Sequence, residues 1–243
     1  MNSKYFRTTF AVITVTLMLA SCGESSDSST DTTAVQVDTT DVSTSTDLEG
    51  VTPIPSTGLS DTLSSVPASA SISPEDADGL VFMREEEKLA HDVYVTLGNL
   101  WGSNVFANIS QAEETHVAAV GALLTRYGIK VPMVNSEVGV FTNPVFTALY
   151  SDLVATGSQS LIDALTVGAL IEDLDIMDLQ RLASTSPDIA IVYDALELGS
   201  RNHMRAFYRQ LQKVGADYTP SYISQSEFDA IIAGNMEKGP MRC

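Results

Sequence analysis

Each of four predicted helices carries an acidic or imidazole side chain in the middle of an otherwise apolar stripe, and this pattern constrains the fold most. The clearest case is the E-x-x-H segment Glu113-Glu114-Thr115-His116, in which Glu113 and His116 share one helix face. A buried charge without a partner is costly, so such groups need one another or a bound cation. The sequence therefore favours a helical bundle whose core holds a polar layer.

Cap and breaker residues divide residues 74–215 into four long helices. Ser73-Pro74-Glu75-Asp76 predicts a helix start, because it combines an N-cap, a proline at the first helical position and early acids. A connection of about 30 residues, which contains a short helix opened by Asn143-Pro144, separates the second helix from the third. The predicted bounds are 74 to 101, about 105 to 127, 158 to about 185, and 186 to about 214.

The connections between these helices indicate one topology. Short links join helices 1 and 2 and helices 3 and 4, whereas a long crossover joins helices 2 and 3. The predicted fold class is therefore all-α, a four-helix bundle with a long crossover between helices 2 and 3. Residues 216–243 form a C-terminal extension, in which the capping box Ser224-Gln225-Ser226-Glu227 predicts a short helix outside the bundle.

The apolar stripe of each helix identifies the polar side chains that face inward. Taken alone, each has another interpretation, such as a hydrogen-bonded core histidine or an acid on a solvated helix face. Because all four helices carry such groups near their midpoints, their convergence on one level favours metal ligation, and carboxylates with imidazoles suit iron or manganese. On helix 1, Glu87 fits the apolar stripe best, and Glu86 is the next candidate for an inward-facing ligand. The predicted metal ligands are Glu87, Glu113, His116, Glu172, Asp175 and His203.

The first 21 residues are predicted to be a lipoprotein signal peptide. Lys4 and Arg7 precede the apolar run Phe10–Ala20, which is too short to span a bilayer. Leu19-Ala20-Ser21-Cys22 resembles the bacterial lipobox, which implies lipidation of Cys22 and a membrane anchor for an extracytoplasmic domain in the cell envelope. The alternative is an ordinary cleaved signal followed by a chance cysteine. Gly23 leaves the outer membrane open as the location.

Residues 22–73 are predicted to be the lipidated cysteine and a disordered tether. The segment 23–73 contains eight acids and no Lys or Arg, and its Ser, Thr and Asp residues bury little apolar surface. The net charge of −18 argues against nucleic acid as a partner. Cys22 and Cys243 are the only cysteines, so a thiolate metal site is excluded.

Two segments resemble rubrerythrin-type proteins. Glu87-Lys88-Leu89-Ala90-His91-Asp92-Val93-Tyr94 resembles their first-helix E-x-x-A-x-x-x-Y pattern, and Glu113–His116 resembles their second-helix E-x-x-H. From about Pro74 to Ala233 the chain is similar to a ferritin-like family of bacteria and archaea, catalogued as a domain of unknown function. The segments that support this are 85–94, 105–109, 126–128, 139–144, 168–176 and 199–203. The resemblance implies a ferritin-like bundle and supplies no established activity.

One residue departs from the di-iron pattern. Ferritin-like di-iron proteins usually have a second E-x-x-H on the fourth helix, but Ser200 stands at the position of that glutamate. Asp175, one turn after Glu172, is a candidate for the missing carboxylate. The alternatives are a single metal ion or a looser pair, so the predicted count is one or two ions.

These features predict a membrane-anchored protein that binds iron or manganese and either oxidises Fe(II) or reduces peroxide. The alternative is a non-enzymatic envelope interaction module, whose buried polar layer fixes the register of the helices. A storage role would require a cage, which a lipid anchor disfavours, although a homodimer is compatible with it. The sequence has no rubredoxin-like cysteine pairs, so electrons would have to come from a separate redox partner, which the sequence does not identify.

Overall fold

The computed structural model describes residues 63, 66–69, 71–130 and 137–237, and within them the chain forms six α-helices and no β-strand. The prediction of an all-α bundle is confirmed. The signal segment, Cys22, most of the tether and Cys243 lie outside the described residues. The helices are α1 (Pro74–Trp101), α2 (Asn104–Arg126), α3 (Pro144–Gly157), α4 (Leu161–Arg181), α5 (Pro187–Lys213) and α6 (Gln225–Ala233).

Local sequence explains most helix ends. Ser73 and Asp76 form a reciprocal capping box at the start of α1, and Gly102 ends that helix with a φ of 63°, a conformation that favours glycine. The start of α4 differs from the prediction of Ser158, because the hydroxyl of Ser160 caps this helix by accepting a hydrogen bond from the backbone N–H of Asp163. The helix also ends at 181 rather than near 185.

The long helices pack as two helical hairpins closed into a bundle. The first hairpin is α1 with α2 and the second is α4 with α5, while α2 also packs on α5 and α1 on α4. The crossover helix α3 packs against α4 and α1, and α6 packs against α5. This arrangement brings the midpoints of four helices together around one core.

Two apolar clusters fill the bundle, one on each side of a polar layer. On α1, Met83 belongs to one cluster and Leu89 to the other, and Glu87 lies between them. The boundary on α5 falls in the same way, with His203 next to it. The charged side chains of different helices therefore meet at one level, between two water-excluding clusters.

The segment before α1 contacts one end of the bundle. The side chain of Leu63 is buried, and the guanidinium of Arg126 donates hydrogen bonds to the carbonyl oxygens of Leu63 and Val66. The last part of the predicted tether thus lies against α2. None of the described helices has the length and apolarity needed to cross a membrane.

Candidate metal centre

Glu113 lies in the middle of the polar layer and contacts both of its histidines. Its Oε2 is 2.8 Å from His116 Nδ1, one turn along α2, and its Oε1 is 2.8 Å from His203 Nδ1 on α5. The two imidazole rings are stacked, with centroids 5.5 Å apart and planes inclined by 21°. One carboxylate therefore joins two imidazoles that come from different helices.

Each imidazole also faces a second carboxylate. Glu87 Oε2 lies 3.2 Å from His116 Nδ1, and Glu172 Oε2 lies 3.5 Å from His203 Nδ1. The result is two groups of three ligands that share Glu113, with the ligand atoms of each group within 4.8 Å of one another. None of these five side chains belongs to a residue more than 2% exposed.

The distances between these atoms, which suit hydrogen bonds, also suit shared coordination of a metal ion. Neighbouring ligands of an octahedral ion with bonds of about 2.1 Å lie about 3.0 Å apart, and the observed N···O distances run from 2.8 to 3.5 Å. Within the described part of the chain, Glu87 Oε1 has no hydrogen-bond partner and remains available as a donor atom. The residues fit a divalent cation, and the buried carboxylate and imidazole groups can hold one.

Burial and mutual attraction change the proton affinities of these groups. Burial raises the pKa of Glu87 to about 8, although His116 opposes the effect. Burial lowers the pKa of His203, but the carboxylates of Glu113 and Glu172 outweigh it and raise the value to about 9. Burial also opposes ionisation of Glu113, yet the two imidazoles hold its pKa well below the usual range. Without metal, protons on the imidazoles therefore balance the charge of Glu113.

Asp175 lies beside the two ligand groups but belongs to neither. Its Oδ2 accepts a hydrogen bond from the hydroxyl of Ser200, and its Oδ1 has no hydrogen-bond partner among the described residues. Burial and the charge of Glu87 raise its pKa well above the usual range. Ser200, which replaces the expected glutamate, thus holds Asp175 in place, and ligation by Asp175 stays a prediction.

Tyr94 and Gly199 shape the centre without belonging to the ligand set. The hydroxyl of Tyr94 donates a hydrogen bond of 2.5 Å to Glu172 Oε1. Gly199 lies against the ring of His116, where a Cβ atom would be 2.6 Å from Cε1. Glycine is therefore required for α5 to approach this imidazole so closely. This contact with His116 could not be predicted from the sequence.

Other prominent polar side chains have structural roles elsewhere. His91 is partly exposed on α1, pairs with the neighbouring Asp92 and belongs to neither ligand group. The hydroxyl of Tyr127 donates to Asp188 at one end of the bundle. Glu85 accepts hydrogen bonds from backbone N–H groups that precede α3, so it fixes the crossover. These contacts, which do not involve the metal centre, explain the positions of these side chains.

The C-terminal extension is attached to the helices directly behind the centre. The buried carboxylate of Asp173, next to Glu172, accepts four hydrogen bonds from the extension; the donors are the Tyr218 hydroxyl and the backbone N–H groups of Ser221, Tyr222 and Ile223. Further along, Glu237 pairs with Arg205, two residues after His203. The extension therefore supports both helices that carry the ligands Glu172 and His203.

The fold and the buried carboxylate and histidine groups define a helical-bundle protein with a candidate metal centre. The chain belongs to a family of proteins that share one uncharacterized domain. Residues 76–235 match the family model described as "Uncharacterized protein domain (DUF2202)". The similarity to rubrerythrin stays a resemblance.

One similar protein comes from an archaeon. The chain is 51% identical over 173 residues to the uncharacterized protein MJ0754 of Methanocaldococcus jannaschii, covering 70% of this chain and 94% of that protein. The crystal structure of hypothetical protein MJ0754 from Methanococcus jannaschii DSM 2661 matches with a TM-score of 0.70 and covers 71% of this chain and 99% of that chain. These matches establish the family and the bundle fold, and their names assign no activity.

Proposed function

We propose that this protein binds iron or manganese, as one or two ions, at the centre formed by Glu87, Glu113, His116, Glu172 and His203. The observation that carries the proposal is the position of Glu113, whose two oxygens each face a histidine Nδ1 at 2.8 Å. Each histidine in turn faces a further acid, so every half of the layer offers one nitrogen and two carboxylate donors. Such a donor set suits these metals.

Charge balance supports the same proposal. With Asp175 included, four carboxylates converge in a layer that water does not reach. Two divalent cations would balance four negative charges, whereas a metal-free layer must retain protons instead. Ligation by Asp175 would complete a two-ion centre, and its absence would leave a single ion or a looser pair.

The proposed activity is oxidation of Fe(II) or reduction of peroxide. Iron held by the carboxylates and the two histidines would supply the electrons: two Fe(II) would become two Fe(III) as H₂O₂ takes up two electrons and two protons to give two water molecules. The protein's own residues hold the donor atoms, and the Tyr94 hydroxyl orients Glu172. Burial, and then the charge of Glu172, raise the pKa of Tyr94 well above its usual value, so this hydroxyl keeps its proton and remains a donor.

Elemental analysis of the purified chain tests the proposal. After anaerobic loading with Fe(II) or Mn(II), the wild-type chain is expected to retain about one or two ions. Glu113→Ala combined with His116→Ala should abolish this binding, because the double variant removes the shared carboxylate and one imidazole. Glu114→Gln is the matched control, since Glu114 is exposed and adjacent. A wild-type chain that stays metal-free would contradict the proposal.

A second candidate function is a non-enzymatic interaction module with a structural polar layer. It is favoured by the contacts that the layer already makes, in which Tyr94 and Ser200 donate hydrogen bonds to Glu172 and Asp175. A chelator distinguishes the two functions. Removing a bound ion should lower the melting temperature of the loaded chain strongly, whereas a self-sufficient network should be unaffected.

We further propose that a lipid on Cys22 anchors the domain to a bacterial membrane, outside the cytoplasm. Support comes from the charged start, the apolar run and the lipobox-like segment that ends at Cys22. Cys22→Ala should move the expressed protein from the membrane fraction to the soluble fraction. Equal membrane retention of this variant would contradict the anchor. A homodimer is compatible with it, and no nucleic-acid partner is expected.

A further inference from the structure

A ladder of acidic side chains leads away from the candidate metal centre along α4. Glu172, Asp175 and Asp178 follow one another at three-residue spacing, so they lie on one face of the helix. All three residues are buried, with exposures of 2%, 5% and 5%. At a rise of 1.5 Å per residue, Asp178 lies about 9 Å along the helix axis from Glu172. The ladder therefore begins at the centre and extends towards the end of α4.

Glu86 on α1 faces the outer part of this ladder. The residue is 2% exposed, and neither carboxylate oxygen accepts a hydrogen bond from an N–H or hydroxyl group of the described chain. Helix α1, which carries Glu86, packs against α4, which carries Asp175 and Asp178. Burial and then the charges of Asp178 and Asp175 raise the pKa of Glu86 well above its usual value. A buried carboxylate that faces other carboxylates requires a proton or a cation between them. Nothing in the centre described above uses this group.

Arg181 closes the outer end of the ladder. Its Nη2 lies 2.6 Å from Asp178 Oδ1, and its Nε donates a hydrogen bond of 2.8 Å to the same oxygen. The Arg181 side chain is 44% exposed, whereas that of Asp178 is 6% exposed. Such a partly exposed pair is weak enough to open. The guanidinium thus places a positive charge where a cation from solvent would first meet the ladder.

The inner end of the ladder offers a free donor atom. Asp175 Oδ1 has no hydrogen-bond partner in the part of the chain that the structure describes, while Oδ2 is held by Ser200. Asp175 therefore stands between Glu86 with Asp178 on the outer side and Glu172 on the inner side. Carboxylates at successive turns allow an ion to exchange one ligand at a time without losing all of them.

We propose that Glu86 and Asp178 form a transfer site for a divalent iron or manganese ion, from which Asp175 passes the ion to Glu172 in the metal centre. This inference rests on the proposed function and adds the route by which the ion reaches the centre. The transfer involves only exchange of water and carboxylate ligands, with no change in oxidation state.

The rate of Mn(II) uptake by the metal-free chain tests the transfer site. Uptake can be followed by the loss of the electron paramagnetic resonance signal of hydrated Mn(II). Glu86→Gln and Asp178→Asn keep the shape of each side chain but remove its charge, so each should slow uptake by roughly tenfold or more. The number of ions bound at equilibrium should equal that of the wild-type chain. Arg181→Gln should speed uptake, because it removes the competing positive charge.

Glu114→Gln, which removes an exposed acid from α2, is the control and should load at the wild-type rate. Wild-type uptake rates in both Glu86→Gln and Asp178→Asn would overturn the transfer site and leave the metal centre standing. Fewer ions bound at equilibrium by Glu86→Gln would also overturn it, because Glu86 would then be a ligand of the centre. A wild-type chain that takes up neither Mn(II) nor Fe(II) would overturn the proposed function and this inference together.

The two variants lie on different helices, so if one fails to fold the other decides the outcome. Thermal unfolding of the metal-free variants checks this point. Glu86→Gln neutralises a buried carboxylate that has no hydrogen-bond partner among the described residues, so it should leave the melting temperature unchanged or raise it. Asp178→Asn also weakens the partly exposed pair with Arg181, so it should lower the melting temperature slightly.

Discussion

At the residue scale, the centre depends on one carboxylate and on how closely two helices approach it. The pairing of Glu113 with His116 was predictable, because residues three apart on a helix share a face. The contact with His203 followed from the apolar stripe of α5. The role of Gly199 was not predictable, because a close approach between helices depends on packing that no local pattern encodes.

Gly199→Ala is predicted to disturb the centre. The new methyl group would lie 2.6 Å from His116 Cε1, so either the imidazole or α5 must move. We expect a loss of about 1–3 kcal/mol in the free energy of unfolding and weaker binding of Mn(II). Denaturant unfolding and metal titration measure the two effects.

Gly121→Ala provides the matched control on α2. The nearest heavy atom to a Cβ there would be Arg84 Nε at 3.6 Å, which is an ordinary contact. Replacing a helical glycine by alanine where space allows should stabilise the chain by roughly 0.5–1 kcal/mol. Equal effects of the two substitutions would refute the steric role of Gly199.

At the element scale, the helix ends followed from local chemistry, and the supporting contacts of the C-terminal extension did not. The proline start of α1 and the capping residue of α6 are local signals and were identified. The start of α4 was missed because Ser158 and Ser160 are both capable caps, and the choice depends on how the crossover ends. In the sequence, Asp173 could not be distinguished from the other acids on α4, because its hydrogen-bond partners lie about 50 residues further along the chain.

Asp173→Asn is predicted to loosen the C-terminal extension from α4. An amide cannot accept from four converging donors, so we expect a loss of about 2–3 kcal/mol in the free energy of unfolding. Because Asp173 adjoins Glu172, binding on the side of Glu172 and His203 should weaken more than binding on the side of Glu87. Urea unfolding and Mn(II) titration measure these changes.

Asp194→Asn, which changes an exposed acid on α5, is the control. It should alter the free energy of unfolding by less than about 0.5 kcal/mol. An Asp173→Asn protein as stable as this control would show that the extension does not support α4.

At the scale of the whole molecule, the chain places a polar layer between two apolar clusters. The sequence made this predictable, because the inward acids and histidines lie near the midpoints of four helices. It did not predict the number of ions, since Ser200 stands where a further carboxylate was expected. The identity of Glu86 as a buried acid outside the centre also needed the structure, because three consecutive glutamates offer several inward choices.

The metal-free chain is predicted to lose stability as the pH rises. The pKa of His203 is about 9 in the folded chain against an ordinary 6.5, and that of Glu87 is about 8 against 4.5. Groups with a raised pKa bind protons more tightly when folded, so their stabilisation is complete below the unfolded value and is lost as pH rises through the folded one. The melting temperature should therefore fall from about pH 4.5, where the contribution of Glu87 begins to be lost, to about pH 9, the value of His203 in the folded chain.

Metal loading should remove this dependence, because bound cations replace the protons. Circular dichroism melting curves of the metal-free and loaded chains across this range provide the comparison. A metal-free chain whose melting temperature stays constant or rises from pH 6.5 to 9 would contradict the assigned protonation of the layer.

A crystal structure of the Mn(II)-loaded chain, with anomalous diffraction recorded to locate manganese, tests the central claim most directly. We expect an anomalous peak within bonding distance, about 2.1 Å, of Glu113 and of His116 Nδ1 or His203 Nδ1, and two such peaks if the centre holds two ions. Manganese bound only at surface acids, with the layer between the apolar clusters free of anomalous signal, would contradict the account.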